Sequence, residues 1–192
     1  IDEEMYGQVS EKILLLNAND KFEFITIVIN SPGGDATDTF GIIDFVEWSP
    51  IPIHMFAVGM CASGALLVLM AGEKGQRRCT PRTQFLSHHY NSWSPDQSYP
   101  NMLSNRKFQD HLYHSIMRHY SQHTNLKDED SIKKYLLRDT DFWLTPEECL
   151  EYGIVDEITK DKKHMPAIIY PGFNDTKAGT QKLRHKQPKK RS

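Results

Sequence analysis

Apolar positions along the chain follow two alternating periods. Over residues 3–17, Met5, Val9, Ile13, Leu14 and Leu16 recur at roughly helical spacing and predict an amphipathic helix, ended by Asn17-Ala18-Asn19-Asp20. Phe22 to Ile29 is a near-continuous β-branched and aromatic run, the pattern of a strand buried on both faces of a parallel sheet. Asn30-Ser31-Pro32-Gly33-Gly34 breaks that run. A helix is then expected over about Thr37 to Glu47, turning Phe40, Ile43, Val46 and Trp48 towards a core and closed by Pro50.

The centre of the pattern is an apolar strand, Ile51 to Val58, followed by the tiny residues Gly59-Met60-Cys61-Ala62-Ser63-Gly64-Ala65 and the helix-favouring Leu66 to Ala71. This reads as strand, sharp turn, buried helix. Gly72-Glu73-Lys74-Gly75 turns into a β-leaning stretch at 77–80, and a further strand, Thr83 to His88, ends in a pair of histidines. Residues 90–100 read as a loop, and a long helix over about Met102 to Gln122 presents Leu103, Phe108, Leu112, Ile116, Met117 and Tyr120. Asp141 to Leu144 is a short strand-like run. Thr145-Pro146-Glu147-Glu148 is a capping box with proline at the first helical position, Gly153 stops that helix, and Ile154 to Ile158 closes the chain's strands. Repeated strand–helix units define an α/β protein.

Composition narrows the class. With 192 residues, 39% hydrophobic and 25% charged, the chain suits one domain with a sizeable core, and its longest apolar run is too short to span a bilayer. No secretory signal precedes the body, and Ile1 in place of Met is expected of a fragment or a processed chain. Cys61, Cys79 and Cys149 are an odd set without metal-ligand spacing, as expected of reduced thiols in a cytosol-like compartment. Residues 176–192 carry seven positive charges and no acid; removing them from a net charge of −2 leaves −9 on the rest. That tail reads as disordered and solvated, with nucleic acid a less expected partner.

Candidate chemistry gathers at the turns. Ser63 stands where a strand meets a helix N-terminus, whose free N–H groups and dipole favour a developing anion, and its small neighbours admit a second chain. The competing structural reading makes it a helix N-cap beside close-packed small residues. Gly33-Gly34 serves either as an ordinary loop or as one wall of an oxyanion hole. His88, ending a strand, is placed for acid–base work or is a surface residue. Four further histidines, His111, His114, His119 and His123, lie on or just after the long helix; His111, His114 and His119 do not share one tight face with an acidic ligand, so no metal site is expected there.

Taken together, Ile29-Asn30-Ser31-Pro32-Gly33-Gly34, Gly59-Met60-Cys61-Ala62-Ser63-Gly64, the strand ending at His88, and Asp141-Phe142-Trp143-Leu144-Thr145 through Glu151-Tyr152-Gly153-Ile154-Val155-Asp156 resemble the ClpP family of serine peptidases. The likeness runs in order over about residues 1–160, with 29 positions from Gly34 to Ser63 and 25 from Ser63 to His88. It implies a ClpP/crotonase-like spiral of strand–helix units with a protruding long helix, a peptidase domain over 1–160 and a basic tail over 161–192. The family segment that forms axial loops would precede Ile1. Position by position, Ser63 falls on the nucleophile, His88 on the general base, Asp141 on the carboxylate that orients it, and the Gly34 and Gly64 N–H groups on the oxyanion hole. His89 and Asp139 are the rivals for base and carboxylate.

The resemblance further implies a serine endopeptidase acting on peptides or unfolded proteins inside a heptameric ring, or two such rings paired into a tetradecamer, supplied by an AAA+ unfoldase. No metal, nucleotide or other cofactor is expected on the peptidase itself, nor any membrane. The expected compartment is cytoplasmic, or an organellar matrix, stroma or phage-infected cell. Two departures bear on this. Gly64 stands where the family usually has Met, and His88-His89-Tyr90-Asn91-Ser92-Trp93 replaces the usual His-Gln-Pro and glycine-rich strand. They leave room for a ClpP-like phage capsid-maturation protease or a catalytically idle ring subunit.

Overall fold

The computed structural model describes residues 1–18, 22–89 and 98–161. The loop expected after Tyr90 falls mostly, and the basic tail almost wholly, outside these residues. The elements in chain order are α1 (Glu3–Asn17), β1 (Ile25–Ser31), α2 (Ala36–Glu47), β2 (Ile53–Ala62), α3 (Gly64–Met70), β3 (Arg77–Cys79), β4 (Gln84–Ser87), α4 (Tyr99–His123), α5 (Glu129–Tyr135), β5 (Phe142–Leu144), α6 (Pro146–Glu151) and β6 (Glu157–Ile158).

The long strand β2 organises the sheet. β1 runs parallel along one edge, from Ile25 opposite Ile53 to Ser31 opposite Cys61. On the other edge β3 pairs with Met55 to Ala57 and β4 with Met60 to Ala62, both parallel. β6 extends the sheet beyond β3, and β5 closes the far side as an antiparallel neighbour of β4. The C-terminal ends of β1, β2 and β4 therefore meet at one edge, where parallel α/β sheets gather their ligands. Because β5 runs the other way, its start joins them.

Every residue of α3 is buried, and around it Ile42, Ile43, Val46, Phe85, Leu112, Ile116 and Tyr120 complete the core. All three cysteines are free and buried; burial pushes the Cys79 thiol up to about 12, so it stays protonated and inert.

Several elements differ from the sequence reading. β2 continues through Gly59 to Ala62, so the expected seven-residue turn shrinks to Ser63. Asn30 makes this possible: its Oδ1 accepts the Met60 N–H at 3.1 Å across a register shift. β1 is buried on one face only; Val28 is exposed, and Phe24 lies before the strand and stacks on His54 with centroids 4.4 Å apart. Trp48 is 85% exposed and contributes nothing to the core, as are Leu103 and Phe108 on the outer half of α4 largely exposed. α5 goes unforeseen, being one short, half-polar segment capped by Asp128. The capping box at Thr145 and Glu148 forms as expected.

Candidate active site

Ser63 occupies a single-residue corner. Its N–H donates to Leu86 O at 2.9 Å, fixing the end of β2 to β4, and its carbonyl accepts from Leu66 N–H at 2.9 Å as α3 begins. Between these constraints the residue takes φ +54°, ψ −125°, and it is the one non-glycine with positive φ among the described residues. Its side chain makes no N-cap hydrogen bond, so the capping alternative is overturned: the hydroxyl is turned to His88 instead. Ser63 Oγ and His88 Nε2 are 2.7 Å apart.

His88 is set by the strand before it. Ser87 is fully buried and its Oγ shares a 2.9 Å hydrogen bond with Tyr120 Oη of α4, a clamp that the sequence showed only as one more apolar helix position. Its rival, His89, lines a separate open cavity with Tyr113, Lys133, Arg138 and Asp139. The geometry thus brings His88 to Ser63 and takes His89 and Asp139 elsewhere.

Asp141 immediately precedes β5, whose Phe142 pairs with Ser87. Its Oδ1 stands 3.8 Å from His88 Nδ1, beyond hydrogen-bond range, and its side chain is 68% exposed. Of the serine–histidine–carboxylate chain, one link is closed and one is open by about an ångström.

The loop after β1 lies directly against this corner. A Cβ on Gly33, whose φ is +96°, would come within 2.6 Å of Ala62 O, 2.7 Å of Ser63 Cβ and 2.8 Å of Gly64 N. Gly34 lies against the Ile1 backbone, whose carbonyl accepts the Asp35 N–H at 3.0 Å. Gly64 begins α3, so its N–H has no acceptor within the helix. A Cβ at Gly64 would overlap Oγ1 of the buried Thr39, which explains the missing side chain there: α2 fills that space. The arrangement offers a hydroxyl paired with an imidazole, beside backbone donors that could receive an oxyanion.

Among the other histidines, His111 and His114 are exposed on α4, whereas His119 enters the core. Burial, followed by the nearby His123, pushes His119 down to about 4, so its imidazole is neutral at ordinary pH.

Comparison with known proteins bears on the family. The family model described as Clp protease matches residues 1–162. The ATP-dependent Clp protease proteolytic subunit 2 of Thermobifida fusca is 32% identical over 162 residues, covering 82% of this chain and 76% of that protein. Subunit 2 of Tropheryma whipplei is 33% identical over 159 residues, covering 82% and 86%. A mutant ClpP1 from Listeria monocytogenes superposes with a TM-score of 0.71 at 28% identity, over 85% of this chain and 88% of that one. The chain belongs to the Clp protease family.

Proposed function

We propose that this chain is a serine endopeptidase in which Ser63 is the nucleophile, His88 the general base and Asp141 its orienting carboxylate. The observation that carries this reading is the 2.7 Å contact of Ser63 Oγ with His88 Nε2 at a strained helix N-terminus. A neutral His88 accepts the hydroxyl proton at Nε2 as Oγ attacks the peptide carbonyl. The carbonyl oxygen takes the negative charge and is received by the Gly34 and Gly64 N–H groups, each such donor being worth roughly 3–4 kcal/mol in the transition state. His88 then gives that proton to the departing amine as the C–N bond breaks, leaving an acyl ester on Ser63 that water, deprotonated by the same imidazole, hydrolyses. Asp141, once closed onto Nδ1–H, holds the reactive tautomer and stabilises the imidazolium.

The family relationship supports the coarser statement, a Clp-type peptidase. A ring of subunits enclosing the sites, fed with unfolded chains by an ATPase, is the assembly this reading carries with it. The exposed Val28, Trp48, Leu103, Phe108 and Trp143 are suited to subunit contacts. Neither metal nor nucleotide enters the chemistry.

The test is labelling with a fluorophosphonate, which reports an activated serine. Wild type is expected to be modified at Ser63 alone, as mapped by mass spectrometry, and Ser63→Ala to lose both labelling and peptide hydrolysis while its circular dichroism is unchanged. Peptide hydrolysis that survives in Ser63→Ala would overturn the assignment.

A further inference from the structure

We propose that Glu47, His119 and His123 form a binding site for a divalent transition-metal ion of the zinc class, joining the end of α2 to the last turns of α4. His119 and His123 are spaced i, i+4 on α4, the spacing that puts two imidazoles on one helix face for a shared metal. Their ring centroids are 4.3 Å apart. Glu47, the last residue of α2, brings the carboxylate from a different element: its Oε1 lies 3.0 Å from His123 Nε2 and 3.9 Å from His119 Nδ1. One donor atom from each of the three residues lies within 4.8 Å of the others. Zinc bonds of about 2.0–2.1 Å in a tetrahedron set donors about 3.3 Å apart, so loading needs a modest contraction. The partly exposed side chains of Glu47 and His123 have room to make it.

The orientation of His119 is the second observation. Its side chain is almost wholly buried, and Nε2 lies 2.9 Å from Leu67 O. A carbonyl oxygen only accepts, so Nε2 carries the proton and Nδ1 presents its lone pair towards the Glu47 oxygen. This is the outer-shell arrangement that fixes ligating histidines elsewhere. A plain hydrogen bond from His123 Nε2 to Glu47 Oε1 accounts for the 3.0 Å contact; it leaves the His119 lone pair and a carboxylate oxygen facing each other, an arrangement that a cation between them resolves as the His123 Nε2 proton is released. Nearby Arg77, which donates to His123 O, has its charge matched by Asp156. Three protein ligands leave a fourth position open on the solvent side, as zinc sites with an exchangeable ligand do. Through Leu67 O the metal would also brace α3, the helix that starts beside Ser63.

The experiment is calorimetric titration of the chelator-stripped full chain with zinc chloride. The expected result is one Zn²⁺ per chain, with Glu47→Gln and His123→Ala each weakening binding at least tenfold, and His114→Ala, an exposed histidine of the same helix, leaving it unchanged. Cobalt(II) in place of zinc is expected to give visible absorption that the Glu47→Gln/His123→Ala double variant lacks. Because a substitution at buried His119 risks unfolding, the test rests on the two partly exposed ligands, with circular dichroism confirming the fold of each variant. Absence of zinc binding by wild type, an unchanged affinity in the folded double variant, or loss of the bound zinc in His88→Ala would each overturn the proposal, the last by placing the metal at the Ser63–His88 pair.

Discussion

At the scale of single residues, Ser63, the nucleophile of the proposed function, sits in a strained backbone conformation. A non-glycine at φ +54°, ψ −125° costs on the order of 1–3 kcal/mol, held in place by the Leu86 and Leu66 hydrogen bonds. Ser63→Gly should remove that cost against a loss of only about 0.4–1 kcal/mol from greater freedom of the unfolded chain. An inactive protein with a urea midpoint raised by the equivalent of about 1 kcal/mol is therefore expected; a lowered midpoint would mean the hydroxyl contributes more to the fold than the strain removes. The carboxylate makes a separate prediction. Asp141→Asn should lower kcat by roughly 10²-fold or more, since correct imidazole orientation underlies general acid–base catalysis worth about 10²–10⁴, whereas Asp139→Asn, which lies in the other cavity, should leave it unchanged. The reverse pattern would assign the role to Asp139. Spacing in the sequence singled out Ser63 and His88 over their neighbours, and the structure sets their side chains 2.7 Å apart. The open 3.8 Å link to Asp141 was not legible, because spacing reports which residues face one another and says nothing of an ångström.

At the scale of elements, the corner works because three strand ends meet. The β-branched and aromatic runs identified β1, β2 and β4, and the capping residues identified α6, since those signals are local. What failed depended on partners. Gly59 to Ala62 looked like a turn by composition, yet Asn30 and two flanking strands hold it in the sheet. Glu47 and His123 likewise meet from helices far apart in sequence, and nothing in either helix alone points to the other. One such partner contact bears directly on the site, that of Gly33 against the Ser63 corner. Gly33→Ala would place its methyl group within 2.8 Å of Ala62 O, Ser63 Cβ and Gly64 N, all backbone or the Cβ of Ser63, at a φ of +96°. The loop must retreat, taking the proposed oxyanion donor, Gly34 N–H, with it. We expect fluorophosphonate labelling of Ser63 to slow by roughly 10²-fold, the effect of losing one such donor, with destabilisation of about 1–3 kcal/mol from the forced backbone shift. Labelling at the wild-type rate would show that this loop takes no part in the site.

At the scale of the whole molecule, the last strands are tied back to the middle by one buried ion pair. Asp156 Oδ2 accepts from Gly75 N, Arg77 N and Arg77 Nε at 2.8–2.9 Å, Oδ1 accepts from Arg77 Nη2 at 2.6 Å, and Arg77 Nη1 reaches His123 O at 2.8 Å. One guanidinium therefore joins β3, the turn before β6 and the end of α4. Arg77 is 4% and Asp156 17% exposed, so each charge depends on the other for what water no longer supplies. Burial alone would raise the Asp156 carboxyl, but the hydrogen bonds and charge of Arg77 outweigh it and hold the group below the usual carboxylate range. The sign of the pH dependence follows. A carboxyl whose folded pKa is depressed contributes stability that is complete above its unfolded value, about 3.9, and is lost as pH falls through the lower folded value. Asp156→Asn leaves Arg77 buried without a counter-charge and should cost about 3 kcal/mol at pH 7. In urea unfolding, the gap between wild type and Asp156→Asn is expected to stay constant from about pH 7 to 5 and to narrow below about pH 4 as the wild-type carboxyl takes up its proton. A gap that persists undiminished through the acid limb would locate the stabilisation in hydrogen-bond geometry alone, with the charge of Asp156 contributing nothing.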